Sequence, residues 1–375
     1  MKLLNFKFCS TAICLSFSLL LSGGCDTTEE EEELFPNVLK STSLLLEAST
    51  TTPRCSEGDI ILLKDNRILT IYTRFIDGQG DHNKAVLSGR ISDDGGYTWG
   101  DERDIVTGGG KKNVMSVSLL RLQNNDIALF YLVKNSIYDC YPVMRTSKDE
   151  GVTWSDPVAC VVPESGYYVL NNSRVIRLES GRLLMPLSLH TTSNSTLNES
   201  GHIFCCHSDD NGKTWVRGEF VTKRQDLVTQ EPGVVELKNG KILLYMRTNS
   251  GFQYFSYSKD SGKSWSVAQE GNLPSAQSPA LIVRDPQSTA LIAVWNNSKT
   301  VRTPLCLALS KDEGASWTNK VLIESNPNLW FAYPAILFLP NNAVLISYSM
   351  GKAELWGLES FTISRILRKS LNLDK

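Results

Sequence analysis

The sequence predicts an all-β fold, a six-bladed β-propeller, because two patterns recur along nearly the whole chain. The first pattern is S-x-D-x-G-x-[TS]-W. It occurs five times, beginning at Ser92, Ser147, Ser208, Ser258 and Ser310. Successive copies begin 55, 61, 50 and 52 residues apart. A repeat of about 50 residues is typical of one supersecondary unit used many times, such as the blade of a propeller.

The repeated pattern itself indicates a turn. Its Asp is followed two residues later by Gly, and an Asp side chain can accept hydrogen bonds from turn amides while Gly tolerates positive φ. We expect the Trp to anchor the turn against its own sheet. A calcium-binding loop of the EF-hand type would need more acidic ligands in a longer run. We therefore interpret these Asp boxes as structural devices.

The second pattern is a hairpin, such as "EGDIILLKDNRILTIY", in which a short turn separates two apolar runs. Turns of the "KDN", "KNG" or "PNN" type suit such hairpins. The pattern occurs six times, and five copies are followed by an Asp box. The sixth runs to the C-terminus. We expect the N-terminal segment after "LFPNVLKSTSLL" to add the strand that closes the sixth blade.

Polar residues stand at the first position of each predicted innermost strand when the hairpins are aligned on their turns. These positions are Glu57, Ser116, Asn172, Glu231, Ser278 and Tyr333. The innermost strands of a propeller converge on its axis, so these side chains would face one pocket. The strand interiors resemble one another whereas these positions differ, as expected for a ligand site. The alternative is that they are polar because they are exposed.

The N-terminus is predicted to direct export. Residues 1–24 have two lysines followed by an apolar run, as a secretory signal does. The closing "LLLSGGC" resembles a bacterial lipobox, which implies a lipid on Cys25 as the only membrane attachment; an ordinary signal peptide is the alternative. Residues 25–36 contain five consecutive Glu and predict a solvated acidic tether. Residues 37–375 form the propeller. The expected location is the outer membrane, the cell surface or the periplasm.

Composition limits which partners and cofactors we expect. The chain has 38 basic and 40 acidic residues among 375, a net charge of −2, so no basic surface for nucleic acid is indicated. Six cysteines follow Cys25, and they lack zinc-like spacing. Cys140 and Cys160 are a candidate disulfide, with buried free thiols as the alternative. We find no cofactor motif and no cluster of metal ligands, and we expect a monomer.

Three stretches resemble the sialidase (neuraminidase) superfamily, whose members carry Asp boxes. "EPGVVELKNGKILLYMRTNSG" is similar to the sialidase segment with the catalytic Glu and one arginine that binds the substrate carboxylate. The resemblance assigns these roles to Glu231 and Arg247. "VRTPLCLALSKDEGASW" implies a second such arginine at Arg302, and "YPAILFLPNNAVLISY" implies the nucleophilic tyrosine at Tyr333.

The chemistry of this set is coherent. Arginine pairs with a carboxylate in a bidentate manner, and a sialic acid carries a carboxylate on its anomeric carbon. An anionic nucleophile would be repelled by that carboxylate, whereas Tyr333 activated by Glu231 would not be. Sialidases with a Tyr nucleophile are a known exception to the two-carboxylate rule for glycosidases.

The first hairpin departs from the family pattern. Where sialidases have Arg-Ile-Pro, this chain has Ser56 at the aligned position and Arg54 two residues earlier. Glu57 then places a carboxylate where a sialidase has an apolar residue. Glu57 is expected to bind a hydroxyl or an amine, or to repel a carboxylate, and Arg54 is a candidate third arginine.

The remaining candidates come from loops and neighbouring strands. The loop before the first Asp box offers Asp81 as the acid/base, with His82 beside it or in its place. Further candidate contacts to the sugar are Asn113, Asn172, Arg174, Gln230 and, against an apolar face of the ring, Tyr254.

The leading hypothesis is an exo-glycosidase of the sialidase type that acts on glycans with a retaining mechanism. A second hypothesis keeps the fold and changes the substrate to a uronic or keto sugar, because the first hairpin is altered. A third, from another class, is a non-catalytic glycan-binding propeller. Catalysis requires Glu231 within hydrogen-bond reach of Tyr333, with Arg247 and Arg302 converging on one point.

Overall fold

The structure is a computed structural model that describes residues 35–161, 166–192, 198–355, 357–371 and 373. The predicted signal (1–24) and nearly all of the predicted tether (25–36) lie outside these residues. Within them, every regular element is a β-strand except two short 3₁₀ helices, Ala353–Leu355 and Arg368–Leu371. No helix among the described residues has the length and apolar character needed to cross a membrane.

The chain begins with one strand that belongs to the last sheet and then builds an antiparallel four-stranded sheet. The strands are β1 (Lys40–Leu46), followed by β2 (Arg54–Leu62), β3 (Ile68–Phe75), β4 (Ala85–Ser92) and β5 (Arg103–Val106). Strands β2 to β5 pair in chain order. The "KDN" turn between β2 and β3 is the predicted hairpin turn.

The next nine strands form one continuous sheet. They are β6 (Asn113–Arg121), β7 (Ile127–Ser136), β8 (Asp139–Ser147), β9 (Val158–Ala159), β10 (Gly166–Val169), β11 (Ile176–Arg177), β12 (Leu183–Thr192), β13 (His202–Ser208) and β14 (Val216–Arg217). β10 pairs with β12 in antiparallel fashion and with β8 in parallel fashion. It thereby joins two hairpin units into one sheet.

Three further units complete the chain, and each is a four-stranded antiparallel sheet. Their strands are β15 (Thr229–Glu236), β16 (Ile242–Thr248), β17 (Phe252–Ser258) and β18 (Gln269–Pro274); β19 (Leu281–Arg284), β20 (Leu291–Asn296), β21 (Leu305–Ser310) and β22 (Thr318–Glu324); and β23 (Leu329–Phe338), β24 (Ala343–Lys352) and β25 (Ser360–Leu367). β1 pairs with β25 and supplies the fourth strand of the last sheet, so the predicted closure by the N-terminal segment is confirmed.

The sheets differ from the predicted set of six separate blades. The arrangement is all-β and propeller-like, but only four sheets are separate four-stranded blades. The second and third hairpin units share the nine-stranded sheet. The physical reason is β10, an additional strand that lies between β8 and β12 and satisfies their backbone hydrogen bonds on both sides.

The N-terminal boundary of the described fold also differs from the prediction. The amide of Leu322 donates to the carbonyl of Pro36, at 2.9 Å, and the amide of Val38 donates to the carbonyl of Leu322, at 3.1 Å. Phe35 packs against the core between β15–β18 and β19–β22. Phe35 and Pro36 therefore contact β22, although both were assigned to the solvated tether.

The core lies between successive sheets. Ile292 and Leu307 of one sheet, for example, share an apolar cluster with Ile346 and Ile366 of the next. Each interior strand is therefore buried on both faces, which accounts for its continuous apolar run. The candidate disulfide is absent: Cys140 and Cys160 are buried with free thiols, like the other four described cysteines.

Each Asp box is a closed network of hydrogen bonds. In the first, Asp94 accepts hydrogen bonds from the amides of Tyr97 and Thr98 and from the hydroxyls of Ser92 and Thr98, at 2.6–2.9 Å. The same network recurs in the other four boxes. The box Gly has a φ of 82° to 90° in every copy, a left-handed conformation that only Gly adopts without strain.

The boxes also hold neighbouring sheets together. The box glycines at 96, 151, 212, 262 and 314 lie against a side chain of the preceding hairpin unit in every case; the partners are Leu345, Leu69, Met144, Leu184 and Leu243. The first box thus packs on the last sheet and closes the ring. The Trp behaves similarly, since Trp99 donates to Ser43 of β1 and Trp317 to Asn272 of β18. The prediction that the Trp anchors on its own sheet is therefore wrong for these boxes.

We predict that Asp94→Ala lowers the free energy of unfolding by about 2 kcal/mol, because it removes a charged acceptor of four hydrogen bonds. Urea-induced unfolding measures this loss. The matched control is Asp93→Ala, since Asp93 is also exposed and has no hydrogen bond or ion pair among the described residues. Its expected effect is within about 0.5 kcal/mol. Equal losses in both variants would contradict a specific role for the box carboxylate.

We also predict a loss of stability in acid. Although burial opposes the shift, hydrogen bonds within each box lower the pKa of all five box carboxyls to about 2. An unfolded Asp titrates near pH ~3.9, so the unfolded chain takes up protons first as the pH falls. Stability should therefore be constant above about pH 4 and fall towards pH 2. Thermal unfolding measured between about pH 4 and pH 2 gives this loss of stability, and the Asp94→Ala variant should lose less stability over that range than the wild type.

Candidate active site

The opening positions of the innermost strands share an unusual backbone. Glu57, Ser116, Glu231 and Tyr333 have φ values of 52°, 60°, 43° and 59°. The pairing register shifts at each of them, so each is the extra residue of a β-bulge. A left-handed conformation costs a residue with a β-carbon about 1 kcal/mol or more, and such strain is found mostly at functional sites. The bulge changes the direction in which one side chain points at the end of each strand.

A pocket of about 560 Å³ lies where these bulged ends meet. Four of the six predicted opening positions line it: Glu57, Ser116, Glu231 and Tyr333. Asp81, Gln230, Arg247 and Arg302 line it too. The prediction that differing polar residues converge on one pocket is thus met by residues from sheets that are far apart in the chain.

Tyr333 and Glu231 form the first key contact of the pocket. The Tyr333 hydroxyl donates to Glu231 Oε1 at 3.3 Å, across 102 residues of sequence. Burial and the charge of Glu231 both raise the pKa of Tyr333, while Arg302 and Arg247 partly offset them. The phenol is therefore neutral at ordinary pH, with a carboxylate placed to take its proton.

Two arginines flank this pair. Arg247 Nη1 lies 2.7 Å from Glu231 Oε2, and Arg302 Nη2 donates to the carbonyl of Gln277 at 3.0 Å. Both guanidinium groups also interact with the Tyr333 side chain. Burial lowers the pKa of Arg302, whose side chain has no carboxylate partner among the described residues. An anionic ligand would compensate this buried charge.

Arg54 has a different environment. Its Nη1 lies 2.6 Å from Asp81 Oδ1 and its Nη2 lies 2.9 Å from Glu57 Oε1. Arg54 does not line the main pocket but a smaller cavity of about 310 Å³ beside it, which Arg302 and Tyr333 share. Burial raises the pKa of Glu57, and the charge of Arg54 offsets only part of that effect.

Asp81 lies on the loop between β3 and β4, as predicted for the acid/base. The loop is held from the neighbouring sheet, since Asn113 Nδ2 donates to the carbonyls of Asp81 and Asn83, at 2.9 Å and 2.7 Å. Lys134 Nζ donates to the same Asp81 carbonyl at 2.8 Å. Although burial opposes it, the charges of Arg54 and Lys134 hold the pKa of Asp81 below its usual range.

His82 follows Asp81 but points elsewhere. It is exposed, it does not line the pocket, and its ring packs edge-on against Tyr167 with centroids 6.4 Å apart. Burial and the charge of Lys134 lower the pKa of His82. Its predicted contact with the sugar is not supported by this position, and Asp81 is the better placed of the two.

Several predicted sugar contacts are structural. Asn172 Nδ2 donates to the carbonyls of Gly58 and Tyr333, at 2.8 Å and 3.0 Å, and is fully buried. The residue of its unit with the left-handed backbone of the other opening positions is Ser173, with a φ of 54°, one residue after the aligned Asn172. Arg174 is buried and donates to the carbonyl of Ala280. Neither Asn172 nor Arg174 lines the pocket.

Two further predicted contacts also lie outside the pocket. Asn113 is buried and is engaged by the Asp81 loop, so it positions the loop instead of a ligand. Tyr254 is buried in the core between β12–β13 and β16–β17, because its strand position faces the neighbouring sheet. Ser278, the fifth opening position, is buried and does not line the pocket.

The structure adds residues that the sequence did not single out. The most informative lie on β10 and β7: Tyr167 and Val169 come from β10, and Leu132 and Lys134 from β7. The additional strand of the nine-stranded sheet thus forms part of the pocket wall. No repeat pattern marks β10, because it has no counterpart in the other units.

His190 of β12 also lines the pocket. Its Nδ1 lies 2.9 Å from the carbonyl of Asn198 and its Nε2 lies 2.9 Å from the Ser188 hydroxyl. A carbonyl only accepts, so Nδ1 carries the proton. Burial lowers the pKa of His190, which favours the neutral ring. Among the described residues, no group of three or more His, Cys, Asp or Glu could hold a metal ion.

Comparison with known proteins indicates the family to which the chain belongs. Residues 69–346 match the BNR repeat-like domain family. A sialidase from Micromonospora viridifaciens is 26% identical over 365 residues, which are 87% of this chain and 52% of that protein. An anhydrosialidase from Macrobdella decora is 26% identical over 280 residues, 65% of this chain and 34% of that protein. The chain thus spans about half or less of these relatives.

The fold has solved counterparts. A leech intramolecular trans-sialidase, in complex with 2,7-anhydro-Neu5Ac, superposes with a TM-score of 0.70 at 14% identity, covering 89% of this chain and 71% of that one. At that identity the likeness concerns the fold. The family match covers most of the chain and agrees with the five Asp boxes. The chain therefore belongs to the BNR repeat-like family, the Asp-box proteins of the sialidase superfamily.

Proposed function

We propose that the protein is an exo-glycosidase of the sialidase type, which releases terminal sialic acid or a related acidic sugar from glycans with retention of configuration. The observation that carries the proposal is the Tyr333 hydroxyl 3.3 Å from Glu231, flanked by Arg247 and Arg302. A site that only binds a glycan needs no phenol paired with a buried carboxylate. The Tyr333–Glu231 pair therefore favours catalysis over the non-catalytic alternative.

The mechanism uses the residues in the positions described above. Arg247 and Arg302 bind the carboxylate of the sugar and orient its anomeric carbon towards Tyr333. The phenol oxygen forms a bond to that carbon as Glu231 accepts the phenolic proton, and the bond to the leaving oxygen breaks. Asp81 donates a proton to the leaving oxygen.

The second step reverses these roles. Water attacks the anomeric carbon from the vacated face, Asp81 takes a proton from that water, and the bond to Tyr333 breaks. Glu231 then returns its proton to the phenolate. Two displacements at one carbon restore the original configuration.

A second candidate is a glycosidase for a different acidic sugar, such as a uronic or keto sugar. The observation that favours it is Glu57, which lines the pocket next to Arg54 and adds a carboxylate to the wall. The reaction would use the same Tyr333 and Glu231. Hydrolysis of α-sialosides compared with other acidic glycosides separates the two candidates.

The six-bladed count is also part of the proposal. The nine-stranded sheet contains two units, β6–β9 and β11–β14, that each begin with a hairpin and carry an Asp box between their third and fourth strands. We regard these as two blades bridged by β10, which gives six hairpin units around one pocket. Export, a lipid on Cys25, and a monomeric state complete the proposal and rest on the sequence alone.

We predict that Tyr333→Phe lowers the kcat for a fluorogenic α-sialoside by at least about 10³-fold, because it removes the attacking oxygen. The control is Tyr131→Phe, which removes a hydroxyl bound to Arg145 outside the pocket and should keep kcat within about twofold. Retained activity in a folded Tyr333→Phe variant would rule out Tyr333 as the nucleophile. If the wild type is inactive on α-sialosides, the same pair should be assayed on other acidic glycosides.

We predict that the effect of Asp81→Asn depends on the leaving group. A natural glycoside needs a proton on its leaving oxygen, so its kcat should fall by about 10² to 10⁴-fold. An aryl glycoside with an acidic phenol as leaving group should lose far less in the first step. Arg54 and Lys134 lower the pKa of Asp81, so the protonated acid is populated only at low pH and kcat/KM should be highest in acid. A uniform loss on both substrates would contradict the role of Asp81.

A further inference from the structure

Arg54 has almost no donor left for a ligand. Its Nε donates to the Ser56 hydroxyl at 2.9 Å, and its Nη1 donates to Asp81 and to the carbonyl of Gln79, at 2.6 Å and 3.0 Å. Its Nη2 donates to Glu57 at 2.9 Å. Four of the five N–H bonds of a guanidinium are thus engaged within the protein.

Glu57 and Arg54 face different cavities. Glu57 lines the 560 Å³ pocket, whereas Arg54 lines only the smaller cavity beside it, which Asp81, Arg302 and Tyr333 line as well. One Glu57 oxygen is held by Arg54 and the other by the Ser116 hydroxyl. Its amide donates to the Ser349 hydroxyl at 3.2 Å, which fixes the bulge. Glu57 is therefore a preorganised acceptor that faces the pocket.

Two carboxylates contact Arg54, one more than its single positive charge requires. Asp81 alone neutralises it, yet Glu57 adds a second carboxylate. On the opposite wall, Arg247 is paired with Glu231, while Arg302 has no carboxylate partner among the described residues. At this end of the pocket Arg247 and Arg302 exceed Glu231 by one charge, whereas at the other end Glu57 and Asp81 are matched by Arg54 and Lys134.

We infer that Glu57 is a specificity-determining residue with two roles. It keeps Arg54 from binding the ligand, so that only Arg247 and Arg302 bind the sugar carboxylate. It also accepts a hydrogen bond from a hydroxyl of that sugar. The class of substrate in this inference is taken from the proposed function. Its basis in the structure is separate: the engaged donors of Arg54 and the place of Glu57 in the pocket wall.

The test measures binding without turnover. Isothermal titration compares Tyr333→Phe with the double variant Tyr333→Phe/Glu57→Gln. The probes are the methyl α-glycoside of N-acetylneuraminic acid and the methyl ester of the same glycoside, which lacks the negative charge. Glu57→Gln preserves the shape and an acceptor oxygen but removes the charge. Since Asp81 still neutralises Arg54, the variant should fold.

The expected result depends on the charge of the probe. Glu57→Gln should tighten binding of the acid about tenfold, because a nearby like charge is removed, and should leave binding of the ester within about twofold. Glu57→Ala, which also removes the acceptor, should bind both probes about tenfold more weakly than the Gln variant. Glu102→Gln is the control; it removes a carboxylate paired with Arg74 outside the pocket and should change neither affinity.

Other outcomes separate the inference from the proposed function. Equal changes for acid and ester, or weaker binding of the acid by Glu57→Gln, would overturn the role of Glu57, as would no binding by any variant. Hydrolysis by the wild type is measured independently. If the wild type is inactive but Glu57→Gln tightens binding of the acid and not of the ester, the inference stands and the sialidase assignment fails. If the wild type hydrolyses the sialoside and Glu57→Gln changes the affinity for neither probe, the sialidase assignment stands and the inference fails.

Discussion

The structure depends on closure of the sheets into a ring. Each hairpin unit has apolar residues on both faces, so a sheet is stable only with a neighbouring sheet on either side. β1 completes the last sheet, and β2 contacts both β6 and β23, which brings the first and last units together. The Asp boxes secure the same arrangement, because each lies on the preceding hairpin unit. Closure thereby buries the apolar faces of the described sheets against one another.

Closure also creates the pocket. Innermost strands from all around the ring end near one another, and a bulge at the end of most of them re-aims one side chain. The strain at Glu57, Ser116, Glu231 and Tyr333 is tolerated because the paired strands on both sides of each bulge hold the backbone. The packed ring therefore supplies rigidity, and the bulged positions, which contribute little to the core, are free to carry chemistry.

Electrostatics divides the pocket into two ends. Burial makes each charge costly unless it is paired, and nearly every charged group here has a partner within 3 Å. Among the described pocket residues, Arg302 and Lys134 have no carboxylate in contact and donate to uncharged acceptors such as the carbonyls of Gln277 and Asp81. A ligand carboxylate is the simplest group to balance Arg302. Glu57 and Asp81 share Arg54 at the other end, where a carboxylate would be repelled and hydroxyls would be accepted.

The sequence by itself determined the repeating unit, the closure by the N-terminal strand, and the convergence of Glu231 and Tyr333 on one pocket, because repeats place equivalent residues at equivalent points. The pairing of Tyr333 with Glu231 was implied by the resemblance to sialidases. The tertiary structure decided whatever depends on a break in the repeat. β10 has no counterpart, so its place in the pocket wall and its bridging of two units could not be read from periodicity. A one-residue difference put the left-handed backbone of the third unit at Ser173. The engagement of Arg54 by Glu57 depends on side-chain direction at a bulge, which spacing does not specify.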